Sequence, residues 1–205
     1  MLKFNLQVLC LWFIVAISNE KVCEACMSEI NWAEINEKLP TGPDEGDERK
    51  ELFKKFDVIK NGRLALFEVE RGLRYEPKLG VFYDAKPAFK RAFALAKDSE
   101  ESSYRRGDDY VEKPEFRYFL QSLLQSFKCY MAFSCVDASK DSRIELIEFV
   151  NAEPEIKRWV GKINDAEEEF KKIDANGGGY ILFDEFCNWL DSKDFHIEDD
   201  DDNIL

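Results

Sequence analysis

An all-α fold of four helix–loop–helix units in two pairs, preceded by an extra N-terminal helix, is predicted by three features of this 205-residue chain. First, an aspartate is followed eleven residues later by a glutamate in DVIKNGRLALFE (Asp57 to Glu68), DASKDSRIELIE (Asp137 to Glu148) and DANGGGYILFDE (Asp174 to Glu185). Each segment carries a branched apolar residue at its eighth position. Second, the phrases leading into the first and last nearly repeat, ELFKKFD against EEFKKID. Third, apolar residues stand four and one positions before each aspartate: Phe53 and Phe56, Phe133 and Val136, Phe170 and Ile173. One unit written three times is harder to obtain by chance than any single match. The register is that of an EF-hand calcium loop, in which oxygens at positions 1, 3, 5, 7, 9 and 12 surround one hard cation.

Residues 1–18 come first, with an unbroken apolar run from Val8 to Ile17. The run is too short to span a bilayer, but its length suits a signal peptide, and Ala16-Ile17-Ser18 is an acceptable cleavage site. Ser28 to Leu39 reads as an amphipathic helix: Ser28 can cap it, Trp32, Ile35 and Leu39 share a face, and Pro40 follows. Thr41 to Glu48 is a linker by composition. From Glu51 onward the pattern is helix, loop, helix. EF-hands pair through a short β-contact at position 8, so Ile144 should face Ile181, and the first loop needs a mate. The best candidate is YRRGDDYVEKPE (Tyr104 to Glu115), fed by a helix over 87–97 with Phe89 and Phe93 inward, which puts Val111 opposite Leu64. Tyrosine at its first position and arginine at its third rule out calcium there. The chain then divides into an apolar segment (1–18), N-terminal helix and linker (19–50), a degenerate pair (51–122), a calcium-binding pair (123–192) and a solvated acidic tail (193–205).

Ligand supply ranks the loops, since calcium takes six to eight oxygens including a bidentate glutamate at position 12. The third loop offers Asp137, Ser139, Asp141, the Arg143 carbonyl, Glu145 and Glu148, with Ser142 where glycine is usual. The fourth offers Asp174, Asn176, the Tyr180 carbonyl and Glu185, and nothing from Gly178 or Leu182. The first keeps Asp57, Asn61 and Glu68, but Ile59 and Ala65 remove two ligands, which favours a silent site.

Composition narrows the function classes. With 29 basic and 42 acidic residues the net charge is −13, which argues against nucleic acid as a partner. The single histidine, His196, lies in the acidic tail, so His-based catalysis and most zinc sites drop out. Cys23-Glu-Ala-Cys26 is a lone CxxC without a second pair. Cys129, Cys135 and Cys187 fall in helices and read as small core residues. No nucleophile–base pair, phosphate loop or metal-hydrolase cluster is visible, so the chain reads as non-enzymatic.

The chain from Trp32 onward resembles the calflagins, the flagellar calcium-binding proteins of kinetoplastid protozoa. The likeness rests on Trp32-x-x-Ile35 with Leu39-Pro40, ELFKKFD at Glu51 to Asp57, and the lengthened second unit ending in PEFRYFL at Pro114 to Leu120. Asp137-Ala-Ser and FDEFCNW at Phe183 to Trp189 continue it. The resemblance implies two EF-hand lobes, calcium held mainly by the C-terminal pair, and calcium-dependent association with the flagellar membrane through lipid or a flagellar protein. The family begins Met-Gly with a nearby cysteine; this sequence begins Met-Leu-Lys, which excludes myristoylation at residue 2. The expected function is a membrane-associated calcium sensor; a lumenal or secreted low-affinity calcium buffer is the alternative that the signal-like start supports.

Overall fold

The computed structural model describes residues 30–97, 109–193 and Phe195. The apolar run of residues 8–17, Ser28, Tyr104 to Asp108 and His196 to Leu205 lie outside them.

The first helix, α1 (Trp32–Asn36), is shorter than the expected Ser28 to Leu39. Asn31 starts it, its side-chain oxygen accepting the Glu34 N–H at 3.0 Å. Past Asn36 the chain tightens into i→i+3 turns, the Lys38 N–H bonding the Ile35 carbonyl at 3.2 Å and the Leu39 N–H that of Asn36 at 3.1 Å, before Pro40. The expected apolar face survives: Trp32, Ile35 and Leu39 are all buried, and Trp32 meets Phe127 edge-on at 6.3 Å. The linker is also shorter than its composition implied, because α2 (Gly46–Phe56) begins inside it. Asp47 and Glu48 in the first turn and Lys54 and Lys55 in the last suit the helix dipole. What remains is pinned: Arg49 donates to the Pro40 carbonyl at 3.1 Å and Arg117 to the Thr41 carbonyl at 3.0 Å.

Strand β1 (Arg63–Ala65) lies within the first loop and leads into α3 (Leu66–Tyr75), a short α4 (Gly80–Asp84) and α5 (Lys86–Lys97). Strand β2 (Tyr110–Glu112) pairs antiparallel with β1, and Leu64 faces Val111 as the register required. Then comes α6 (Phe116–Val136), 21 residues long. One continuous helix leaves the second loop and enters the third, so the division between residues 122 and 123 falls inside it. Beyond the third loop run α7 (Leu146–Asn151), α8 (Glu153–Val160), α9 (Ala166–Ile173) and α10 (Phe183–Asp191). Ile144 and Ile181 bridge the third and fourth loops, N–H to carbonyl at 3.0 and 2.9 Å.

Phenylalanine builds the core on both sides of α6. Phe116 takes Phe53 at 5.2 Å and Phe56 at 5.9 Å, and Phe133 takes Phe183 and Phe186, each at 5.7 Å. Each pair adds about 0.5–1.5 kcal/mol beyond area burial. Phe89 and Phe93 point inward from α5 as expected, and Cys129, Cys135 and Cys187 are buried. Burial pushes the Cys187 thiol up, which makes it inert.

The two halves are also clamped by charge. Arg91 on α5 donates to Asn188 at 2.9 Å, Asp191 at 3.0 Å and Asp184 at 3.3 Å, all on one face of α10.

The tail does not start at residue 193 as expected. Lys193 bonds Glu169 at 2.8 Å, and Phe195 is buried against Trp159. Glu169, 9% exposed, also accepts the Trp189 indole N–H at 2.8 Å. The Lys193 ammonium chiefly, with Trp189 and Lys172 and against the cost of burial, holds its carboxyl at about 2, below the ordinary 4.5. A depressed acid contributes stability that is complete above about 4.5 and lost as pH falls toward about 2. Because both lysines lie near the surface, the contribution is on the order of 2 kcal/mol. Urea melts of the protein and of Glu169→Gln should differ by that amount at pH 7 and converge near pH 2; a constant difference would show the charge to be irrelevant.

Candidate metal centre

Three loops share one frame. In the third, Asp137 Oδ1 accepts the Asp141 N–H at 3.2 Å and Oδ2 the Ser142 N–H at 2.9 Å. Glu148 Oε1 accepts the Ser139 N–H at 2.8 Å and Oε2 the Glu145 N–H at 2.9 Å. In the fourth, Asp174 accepts from Gly178 and Gly179, and Glu185 from Asn176 and Leu182, at 2.8–3.1 Å. The first repeats the four bonds with Asp57 and Glu68, at 2.9–3.1 Å. Position 1 thus binds the N–H groups of positions 5 and 6, and position 12 those of 3 and 9, in every loop. Position 12 also sits in the first turn of α3, α7 or α10, where a carboxylate suits the helix N-terminus. In the second loop the same reach survives: Glu115 accepts the Glu112 N–H at 2.7 Å.

The tight turn needs positive φ at positions 4 and 6. Gly62 and Gly179 meet it at the sixth position with φ of 80° and 82°, and Ser142 is forced to 68°. A residue with a side chain costs about 1–2 kcal/mol there, partly offset in the unfolded chain. Ser142→Gly should therefore stabilise the protein by about 0.5–1 kcal/mol in a urea melt; a loss of stability would mean that the hydroxyl has a role of its own.

A second repeat was not anticipated. Arg143 stacks on Tyr180 at 4.5 Å, and Arg63 stacks on Tyr110 at 4.1 Å. Both pairs join position 7 of one loop to position 7 of its mate, once Tyr104 is taken as position 1 of the second loop. The signal was available as an Arg–Tyr alternation at that position, worth about 0.5–1 kcal/mol per pair.

The candidate ligands differ in how closely they converge. Asp137 and Glu148 are 6% and 9% exposed, and the Ser139 hydroxyl donates to Asp137 at 3.3 Å. Burial first, and the Glu148 carboxylate second, push the Asp137 carboxyl above its usual range, against the N–H groups of Ser142 and Asp141. Two buried carboxylates in mutual repulsion are the chemistry a divalent cation relieves. Asp141 turns toward the Arg143 N–H at 3.0 Å, and Glu145 is exposed at the rim. Among the described residues no three His, Cys, Asp or Glu side chains converge as a ready metal cluster. The donor set fits an EF-hand ion, which takes hydroxyl, amide and carbonyl oxygens as well as carboxylates. In the fourth loop Asp174 and Glu185 are half-buried, the Asn176 amide bonds Glu185 at 2.7 Å, and Asn176 itself is exposed. In the first loop Asp57 and Glu68 are 8% and 0% exposed, more enclosed than the fourth, but Ile59 faces solvent at 57%.

Paired loops with this frame, joined at position 8 between phenylalanine-lined helices, define an EF-hand calcium-binding protein. The family model for the FCaBP EF-hand domain matches residues 35–123. The flagellar calcium-binding protein of Trypanosoma cruzi is 33% identical over 180 residues, covering 84% of each chain. The flagellar calcium-binding protein TB-17 of Trypanosoma brucei brucei is 35% identical over 179 residues, covering 85% of this chain and 77% of that one. Its relative TB-24 is 35% identical over 178 residues, covering 85% and 82%. The chain belongs to the flagellar calcium-binding protein family, the calflagins, which bind calcium and are not enzymes.

Proposed function

We propose that this protein is a calcium sensor of the flagellum, associated with its membrane, with four EF-hands in two pairs and the ions held by the third and fourth loops. Asp137, Ser139, Asp141, Glu145, Glu148 and the Arg143 carbonyl hold one; Asp174, Asn176, Glu185 and the Tyr180 carbonyl hold the other. The second loop is silent, and the first has too few side-chain oxygens to compete.

The observation that carries a sensor reading is the grip of Arg91 on α10. Glu185, the closing ligand of the fourth loop, lies one residue from Asp184 and three from Asn188, both of which Arg91 holds. A shift of Glu185 that moves α10 must therefore act on α5, which packs along α6. Ligand binding moves such an equilibrium only by its difference in affinity between the two arrangements. Calcium supplies charge neutralisation in the loops; the helices convert it into exposed phenylalanine surface.

A hydrophobic-dye titration of the full chain tests this. Dye binding should rise with calcium across the sensor range of about 10⁻⁷ to 10⁻⁵ M. Unchanged dye signal with calcium bound would leave a buffer. That second reading, a lumenal or secreted buffer, is favoured by the apolar run from Val8 to Ile17.

A further inference from the structure

The outer surface of the first helix–loop–helix unit runs against the character of the chain. Residues 50–78 contain eight lysines and arginines and five acidic residues, a local charge of +3 in a chain of net −13. Of those five acids, Asp57 and Glu68 are buried in the loop frame, while Glu51 and Glu76 are paired with Lys54 and Lys55. Lys60, Arg71 and Arg74 are exposed and make no ion pair among the described residues.

Exposed apolar side chains gather at the same place. Ile59 is 57% exposed and Phe67 54%, and the Ile59 N–H bonds to Glu68 at 3.1 Å, which holds the two side chains' backbones near each other. Phe67, Arg71 and Tyr75 stand four residues apart on α3, with Arg74 on the same face. Tyr75 is 67% exposed.

The fold contains its own comparison. Counting from position 1 of each loop, Phe67, Arg71 and Arg74 correspond to Asp184, Asn188 and Asp191. Those three are the residues Arg91 covers on α10. One face is closed from within by a cation; its counterpart is basic, apolar at the tip and uncovered.

We infer that this face of the first unit docks on an anionic lipid surface, with Ile59 and Phe67 entering the interface and Lys60, Arg71 and Arg74 facing the headgroups. The proposal deepens the membrane association put forward above and rests on it. A small apolar tip ringed by arginine and tyrosine suits the boundary between headgroups and acyl chains. It offers little to a protein partner, whose standard footprint is roughly 800 Å² per side. The overall negative charge does not forbid the contact, because screening within about 8 Å at physiological salt leaves the docked face to dominate.

The test is partitioning of the full chain onto vesicles of phosphatidylcholine alone or with phosphatidylserine, for the parent, R71E/R74E and I59A/F67A. The altered side chains are exposed, and unchanged circular dichroism and calcium titration establish that the variants are folded. The parent should bind the phosphatidylserine vesicles more tightly. R71E/R74E should lose at least about 25-fold on them, at about fivefold for each arginine lost, with repulsion of the two new carboxylates adding to the loss. I59A/F67A should weaken binding to both vesicle types about tenfold. Parent-like binding by both variants would overturn the assignment and leave membrane association to other residues, including 1–29. No vesicle binding by the parent would overturn the membrane reading itself. Parent-like vesicle binding by R71E/R74E, with loss of binding to an acidic peptide, would make the face a protein contact and overturn the lipid assignment.

Discussion

Glu148→Gln should lower the affinity of the tighter calcium site about a hundredfold, or about 2.7 kcal/mol. The carboxylate is 9% exposed and both oxygens are engaged, by Ser139 at 2.8 Å and Glu145 at 2.9 Å. Glutamine removes the charge that pairs with the ion and one of the two ligating oxygens. It also sets an amide N–H₂ against one of two backbone N–H donors, so the start of α7 loses a bond as well. Glu115→Gln is the matched control. Glu115 is 2% exposed and makes the same reach, to Glu112 at 2.7 Å, but closes a loop with Tyr104 and Arg106 where ligands belong. It should cost stability and leave calcium binding untouched. Calorimetric titration of the full chain reads both. A tight site that survives Glu148→Gln and is abolished by Glu185→Gln would reverse the ranking of the third and fourth loops.

How much of this was legible depended on the range of the interactions. Loop spacing and position-8 register are local, and they placed Leu64 against Val111 and Ile144 against Ile181 without any structure. The proposed ranking of the loops rests on counting oxygens, which the sequence alone supplies. Helix ends were read less well where two local signals competed. Ser28 and Asn31 both cap well, and TGPDEGDE reads as linker although its Asp47 and Glu48 are good first-turn residues. Continuity of α6 was hidden because a 21-residue helix serves two units, so each half looked complete by its own periodicity. Arg91 was beyond reach: its partners lie 93 to 100 residues away, and nothing local marks which arginine among many will be buried against them. Burial of Phe195 was masked by the acidic run that follows it.

Gly72→Ala should destabilise the protein by about 2 kcal/mol, although alanine is the better helix former. In a helix interior the exchange alone would gain about 1 kcal/mol. Here a Cβ at residue 72 would lie 2.4–2.5 Å from three ring carbons of Phe56. That ring is fully buried and set edge-on against Phe116 at 5.9 Å, so it has nowhere to retreat without moving a second ring. Overpacking of this kind costs about 1–3 kcal/mol or more, and outweighs the propensity gain. The corresponding positions in the third unit, Val136 and Ala152, pair a smaller side chain with a larger one. The first unit's glycine is thus tied to its phenylalanine. Phe56 directly precedes Asp57, so a displaced ring also drags the first residue of the loop frame. At this chain length the expected loss corresponds to a fall in Tm of roughly 4–8 °C. Phe56→Leu, with room for the added methyl, should cost less in the Gly72→Ala background than alone, a coupling a double-mutant cycle reads directly. An unchanged Tm in Gly72→Ala, or strict additivity of the two substitutions, would show that the ring and the helix do not meet as closely as this packing requires.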